Sequence, residues 1–106
     1  MDTFQISNVI AELERSGRLY KEFFRVPALS LGVYKLTAGA VDPQKPHTED
    51  EIYYVLSGSG SIHVSGEDRQ VSSGSVIFVK AGADHRFHSI TQDLVLLVFF
   101  SPAESL

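Results

Sequence analysis

The sequence predicts an all-β protein, a sandwich or barrel with one short helix at its N-terminus. Three observations carry this reading. From residue 51 onward, short apolar runs recur at near-even spacing, separated by turns rich in Gly, Ser and Asp. No long stretch of helical periodicity lies between them, which argues against a parallel α/β sheet. At 106 residues the chain has the size of one small domain, so residues 1–106 are expected to form a single unit.

Composition narrows the function. The net charge is −4 and no Lys/Arg cluster occurs, so neither nucleic acid nor an anionic membrane is an expected partner. There is no Cys, which removes disulfides and thiolate metal sites. Any metal must then sit on His, carboxylate, amide or water ligands. The N-terminus lacks a basic segment followed by an apolar one, so no secretory leader is read there. The longest apolar run, Leu94–Phe100, is too short to span a bilayer. A cytoplasmic location is the default expectation.

Ser7 is placed as the N-cap of a short helix that carries Val9, Ile10 and Leu13 on one side and stops at Gly17. Arg18–Val26 reads as a strand ended by Pro27. Leu29–Thr37 alternates Leu29, Leu31 and Val33 against Ser30, Gly32 and Tyr34, the pattern of a half-buried strand. Ala38-Gly39-Ala40 and the prolines at 43 and 46 make residues 38–47 begin as a loop. Further strands are expected at Glu51–Leu56, Ser61–Val64, Arg69–Val71, Ser75–Val79, Arg86–Ile90 and Leu94–Phe100. The expected turns are Ser57–Gly60, Ser65–Asp68, Ser72–Gly74, Ala81–Asp84 and Thr91–Asp93.

Strand parity brings out the chemistry. Side chains at i, i+2 and i+4 share a face. If the chain is already extended at residue 47, then His47, Glu49, Glu51 and Tyr53 lie on one side. Ile52, Tyr54 and Leu56 lie on the other, an apolar face expected to pack against something. Burying several ionisable groups together is costly unless they are compensated. A divalent cation is one compensation, because it holds a carboxylate ionised and an imidazole neutral. His85 follows a Gly-containing turn and opens a strand with Phe87 and Ser89 on its face. His47, Glu51 and His85 are thus the candidate metal ligands. Phe87, Phe78 and Tyr53 are expected in the core or the cavity wall. His63 is expected to face solvent, and His88, opposite in parity to His85, to lie off the site. Of the adjacent Phe99 and Phe100, one should be in the core and the other on a second surface.

These residues resemble the cupin superfamily. Its first motif, G-x5-H-x-H-x3-4-E-x6-G, is matched by His47, Glu51 and Gly58. Its second, G-x5-P-x-G-x2-H-x3-N, is matched by Gly74, Gly82 and His85. The motifs cover roughly residues 40–89. The resemblance implies a jelly-roll barrel and a bound metal. It says little about the reaction, because the family includes dioxygenases, isomerases, decarboxylases, lyases, sugar-binding regulators and storage proteins. The chain also departs from the pattern. Ala40 replaces the opening Gly, Lys80 the Pro and Ser89 the Asn. Lys45 stands at the first His position, and a protonated Lys offers no lone pair to a metal. Three ligands remain, with Gln44 as the candidate fourth through its carbonyl oxygen. Glu49 is expected to pair with Lys45 or to meet substrate at the mouth.

The resulting expectation is a mononuclear metal-dependent enzyme, dioxygenase- or isomerase-like, holding one divalent transition metal (Fe, Mn, Ni or Zn). Its substrate is a small polar chelating molecule. Glu49 and Tyr53 are the candidate proton shuttles. The alternatives are a small-ligand-binding module without turnover, or a scaffold that has lost its metal and keeps a hydrated polar cavity. Strands Ile52–Leu56 and Leu94–Phe100 look apolar on both faces. This leads to the expectation of a homodimer, unless the N-terminal helix covers them.

Overall fold

A computed structural model of the chain describes residues 1–106. The helix α1 spans Ile6–Ser16 and buries Val9 and Leu13, as their spacing requires. Its N-cap is Gln5 rather than Ser7, and no side chain caps it. Instead the Gln5 carbonyl accepts from the amides of Asn8 and Val9. Ser7 sits inside the first turn. Gly17 closes the helix in the left-handed region, φ 71°, where a glycine costs least.

Six strands follow: β1 Tyr20–Val26, β2 Leu29–Leu36, β3 Asp50–Val64, β4 Glu67–Ser72, β5 Val76–Val79 and β6 His85–Ser101. All pairings are antiparallel, in the order β1-β2-β6-β3-β4, with β5 added to β3. Strand β3 pairs with β6 over most of its length. On its other edge it pairs first with β5, Glu51 to Tyr54, and then with β4, Ser59 to Val64. The inward side chains meet in one core that includes Tyr34, Leu36, Tyr53, Val55, Ile62, Phe87, Leu94, Leu96, Val98 and Phe100. A second cluster of Val9, Leu13, Val33 and Val95 lies under α1. No helix is long and apolar enough to cross a membrane.

Two expected turns are absent. Ser57–Gly60 and Thr91–Asp93 lie inside β3 and β6, which merge two expected strands each. The pairing register slips three times between Val55 and Ser61. These bulges bend the long strands without ending them. Gly58 has φ 97°, and a Cβ there would stand 2.0 Å from the Asp93 carbonyl oxygen. The glycine therefore serves a close crossing of two strands, not a chain reversal. The turn before β4 is tighter than expected: Ser65 and Gly66 both have positive φ, so β4 begins at Glu67.

The outward face of β3 is less covered than expected. Leu56 packs against the α1 cluster, but Ile52 and Tyr54 are 40 % and 39 % exposed. Their β5 partners Phe78 and Val76 are 60 % and 66 % exposed. Phe78 is thus on the outer surface and not in the cavity wall, while Phe87 and Tyr53 are in the core. Phe100 is buried inside and Phe99 half-buried outside.

Candidate metal centre

The site is assembled from a loop and two strands. Glu51 is the second residue of β3 and His85 the first of β6. Both are almost fully buried, 2 % exposed each. His47 lies in the loop before β3, with a bend at Thr48–Glu49 between it and the strand. Two anchors hold that loop. The amide of Gly82 donates to the His47 carbonyl at 2.6 Å, joining the β5–β6 turn to the loop. Further back, the buried Asp42 accepts four hydrogen bonds. They come from the Tyr34 hydroxyl (2.6 Å), the Phe87 amide (2.9 Å), the Gln44 amide (3.2 Å) and the Gln44 side chain (2.7 Å). A buried carboxylate so satisfied ties the loop to the barrel interior.

The three side chains converge. His47 Nδ1 is 3.5 Å and His85 Nε2 3.2 Å from the same oxygen, Glu51 Oε1. One ligand atom from each residue lies within 4.8 Å of the others. The second nitrogen of His85, Nδ1, donates to the Ala83 carbonyl at 2.9 Å, which leaves Nε2 with its lone pair toward Glu51. His47 Nδ1, both Glu51 oxygens, His85 Nε2 and the Tyr20 hydroxyl are buried and lack hydrogen-bond partners. Such groups cost free energy unless something else satisfies them. Ligands about 2.0–2.2 Å from one ion stand roughly 3 to 3.5 Å apart, which matches the two contacts to Glu51. The donor set therefore fits a divalent metal held by His47, Glu51 and His85.

Electrostatics agrees with this use. Burial pushes the Glu51 carboxyl up, but the two imidazoles and Tyr53 outweigh it and leave the group below its usual range. Contact with Glu51 raises His47 against its burial. For His85, burial pulls down, and the Glu51 and Ala83 contacts raise it further than that. The carboxylate stays ionised and attracts either a proton or a metal to the imidazoles.

The remaining candidates are placed differently. The Gln44 carbonyl oxygen accepts from the Tyr53 hydroxyl at 2.7 Å, which uses one of its two lone pairs, and its side chain lines the same cavity as His47 and Glu51. Tyr53 is fully buried beside Phe87, and burial together with Glu51 raises its phenol, which holds its proton. Glu49 is turned away by the bend at Thr48–Glu49. It accepts from Ser105 Oγ (2.6 Å), the Ser105 amide (3.3 Å) and Thr48 Oγ1 (2.5 Å), not from Lys45, which is exposed. Burial raises its carboxyl, but these donors bring it below its usual value. His63 and His88 lie elsewhere, both bonded to Asp68.

Three residues of the site escape a reading of the motifs. Tyr20, Tyr34 and Glu104 line a cavity of about 140 Å³ together with Gln44, His47, Glu51 and Val98. Glu104 Oε2 is 3.4 Å from His47 Nε2, and burial raises its carboxyl. The phenol of Tyr20 is raised mainly by burial. Gly32 makes room for that ring, since a Cβ there would stand 2.1 Å from the Tyr20 hydroxyl. The Gly32–Tyr20 apposition depends on the β1–β2 register, which periodicity leaves open.

Comparison with known proteins identifies the fold family. An uncharacterized protein of Streptomyces coelicolor is 46 % identical over 105 residues, covering 99 % of this chain and all of that one. An oxalate-binding protein of Thermotoga maritima is 36 % identical over 75 residues, covering 70 % of this chain and 62 % of that one. The solved structure of KdgF from Halomonas sp. superposes with a TM-score of 0.71 at 27 % identity, covering 78 % of this chain and 76 % of that one. Residues 32–100, which hold all three candidate ligands, match the cupin domain family. With its strand order, its inward triad and this match, the chain belongs to the cupin family.

Proposed function

We propose that this cupin is a mononuclear metal-dependent enzyme of the dioxygenase or isomerase type, acting on a small polar molecule that chelates the ion. The observation that carries the reading is the set of buried, unpartnered donor atoms of His47, Glu51 and His85. A divalent transition metal (Fe, Mn, Ni or Zn) bound there would polarise a chelating oxygen or, as Fe, support O2 chemistry. Three protein ligands leave coordination positions free for the substrate. A cavity of about 140 Å³ limits its size. Pockets of about 150 Å³ hold molecules as small as benzene, so a substrate of roughly six heavy atoms is favoured. Tyr20 supplies an uncommitted hydroxyl to orient it. Of the two proposed proton carriers, Tyr53 is the nearer to the triad, its ring centroid 6.1 Å from that of His85, and its hydroxyl proton, held toward Gln44, is one it would pass only with a substrate in place.

A second reading is supported by the oxalate-binding relative: the same metal captures a small chelating acid without turning it over. One experiment addresses both. Untagged protein is analysed for bound metal, then incubated aerobically with oxalate and related C2–C4 oxyacids. O2 uptake and product formation are followed. Metal at one equivalent with turnover supports the enzyme, and metal with unchanged acid supports the binder. Absence of metal after loading removes both.

A homodimer is proposed on the outer face where Ile52, Tyr54, Val76 and Phe78 are exposed, since patches of this kind mark association surfaces. Light scattering of the parent and of Phe78→Glu checks it. A monomeric parent would refute the dimer.

A further inference from the structure

After β6 the chain does not leave the barrel. The Ala103 amide donates to the Pro27 carbonyl at 3.2 Å, and the Glu104 amide to Ser30 Oγ at 3.0 Å. The Arg25 guanidinium donates to the Glu104 carbonyl. One residue on, Ser105 bonds Glu49 through both its amide and its hydroxyl, at 3.3 Å and 2.6 Å. Glu104 is thus pinned on both sides by main-chain contacts. Its side chain enters the cavity that holds His47, Glu51 and Tyr20. There its carboxylate faces His47 Nε2 at 3.4 Å, while the opposite nitrogen, Nδ1, faces Glu51 and has no other partner.

An imidazole that ligates a metal through one nitrogen carries its proton on the other, and an acceptor for that proton sets tautomer and ring direction. His85 has such an acceptor in the Ala83 carbonyl. For His47 the acceptor comes from the C-terminal segment. We propose that Glu104 is a positioning residue of the metal centre: it takes the Nε2–H of His47 and so presents Nδ1 to the ion. The proposal rests on the metal reading above. It gives the C-terminal segment a task that no residue of the two cupin motifs performs. The two histidines then present opposite nitrogens, Nδ1 from the loop and Nε2 from the strand.

The test uses full-length protein loaded with Zn(II). Imidazole ¹⁵N spectra report which nitrogen of each histidine is metallated, and competition with a chromophoric chelator reports affinity. In the parent, His47 is expected to be metallated at Nδ1 and protonated at Nε2, and His85 the reverse. Glu104→Ala should weaken Zn(II) binding by about 10- to 100-fold, and the His47 Nε2–H should exchange faster with water. Glu104→Gln, which keeps an acceptor oxygen, should recover part of the affinity. Metallation of His47 at Nε2 in the parent overturns the proposal and leaves the metal site intact. Unchanged affinity and an unchanged His47 spectrum in Glu104→Ala overturn it equally. If His47 carries no Zn(II) in the parent, the metal reading fails first, and the proposal falls with it. Circular dichroism confirms that the variants keep the β fold.

Discussion

The chain has four histidines, and the fold sorts them into two pairs, each sharing one carboxylate. At the cavity, His47 and His85 meet Glu51. On the outer surface, His63 and His88 meet Asp68, with Nδ1 of His63 at 3.2 Å from one oxygen and Nε2 of His88 at 2.6 Å from the other. Each cluster sets two imidazoles around one shared acid, with Glu104 also beside His47 at the cavity, yet they differ in kind. Asp68 is exposed, and each of its oxygens has its own histidine partner. Glu51 is buried, both imidazoles share one of its oxygens, and neither oxygen is hydrogen-bonded. The outer cluster is complete without a ligand. The inner one is left with convergent lone pairs that no other group of the chain satisfies. Ligand capacity follows from burial and unmet valence, not from the inventory of side chains.

The comparison breaks most directly at the inner acid. Glu51→Ala or His85→Ala should lower divalent metal affinity by about 100-fold or more while leaving the β-rich fold, as read by calorimetric titration with Zn(II). Parent-like binding by both would show that the inner cluster is as inert as the outer one.

Next is the support of the inner cluster, which has no counterpart at the surface. Asp42→Ala strips the Tyr34 hydroxyl and the Phe87 amide of their acceptor. A loss of about 2–4 kcal/mol in urea unfolding is expected, together with weaker metal binding as the His47 loop loosens.

Proton competition sharpens the contrast further. In the metal-free protein, Glu51 is held below its ordinary 4.5, so its contribution is present above that range and fades as pH falls through the lowered value. His47 and His85 are raised above 6.5, so theirs is present in weak acid and fades as pH rises through the raised values. Metal binding runs the other way, because the imidazoles must shed protons first. From about pH 6 to pH 8, the metal-free protein should lose stability while Zn(II) affinity rises, by up to about tenfold per pH unit for each proton released. Thermal melts with and without Zn(II) check both trends. Parallel trends would disconnect the imidazoles from the ion.

The smallest effect belongs to the outer cluster. His63→Ala and His88→Ala should leave metal stoichiometry and affinity at parent values, because their partner is an exposed acid on another face. A loss of metal in either would erase the distinction.

Much of this was legible in the chain itself. Alternation placed Glu51 and Tyr53 on one face of their strand, and His85 followed from its position at the head of a strand. The spacing of the two motifs pointed to His47, Glu51 and His85 as a group. Alternation failed where the backbone is not extended. The bend at Thr48–Glu49 sends Glu49 toward Ser105, although its parity matches Glu51. Ser57–Gly60 looks like a turn because Gly and Ser are turn formers. Only the approach of Asp93 to Gly58 reveals a bulge in a continuous strand. Ile52 and Phe78 are apolar and were expected to be covered, but within one chain they stay 40 % and 60 % exposed.

Local patterning determined that the protein is a β fold with a short amphipathic helix and that Glu51 and His85 share its inward faces, while His47 joined them through the resemblance of the first motif. Periodicity and turn chemistry are properties of neighbouring residues, so they can be read along the chain. Tertiary structure decided the rest: which acids stay unsatisfied, that Asp42 moors the ligand loop, and that Glu104 returns from the C-terminus to His47. Those contacts join residues 45 to 57 positions apart. No local rule encodes them, because they exist only once the strands have paired and folded over one core.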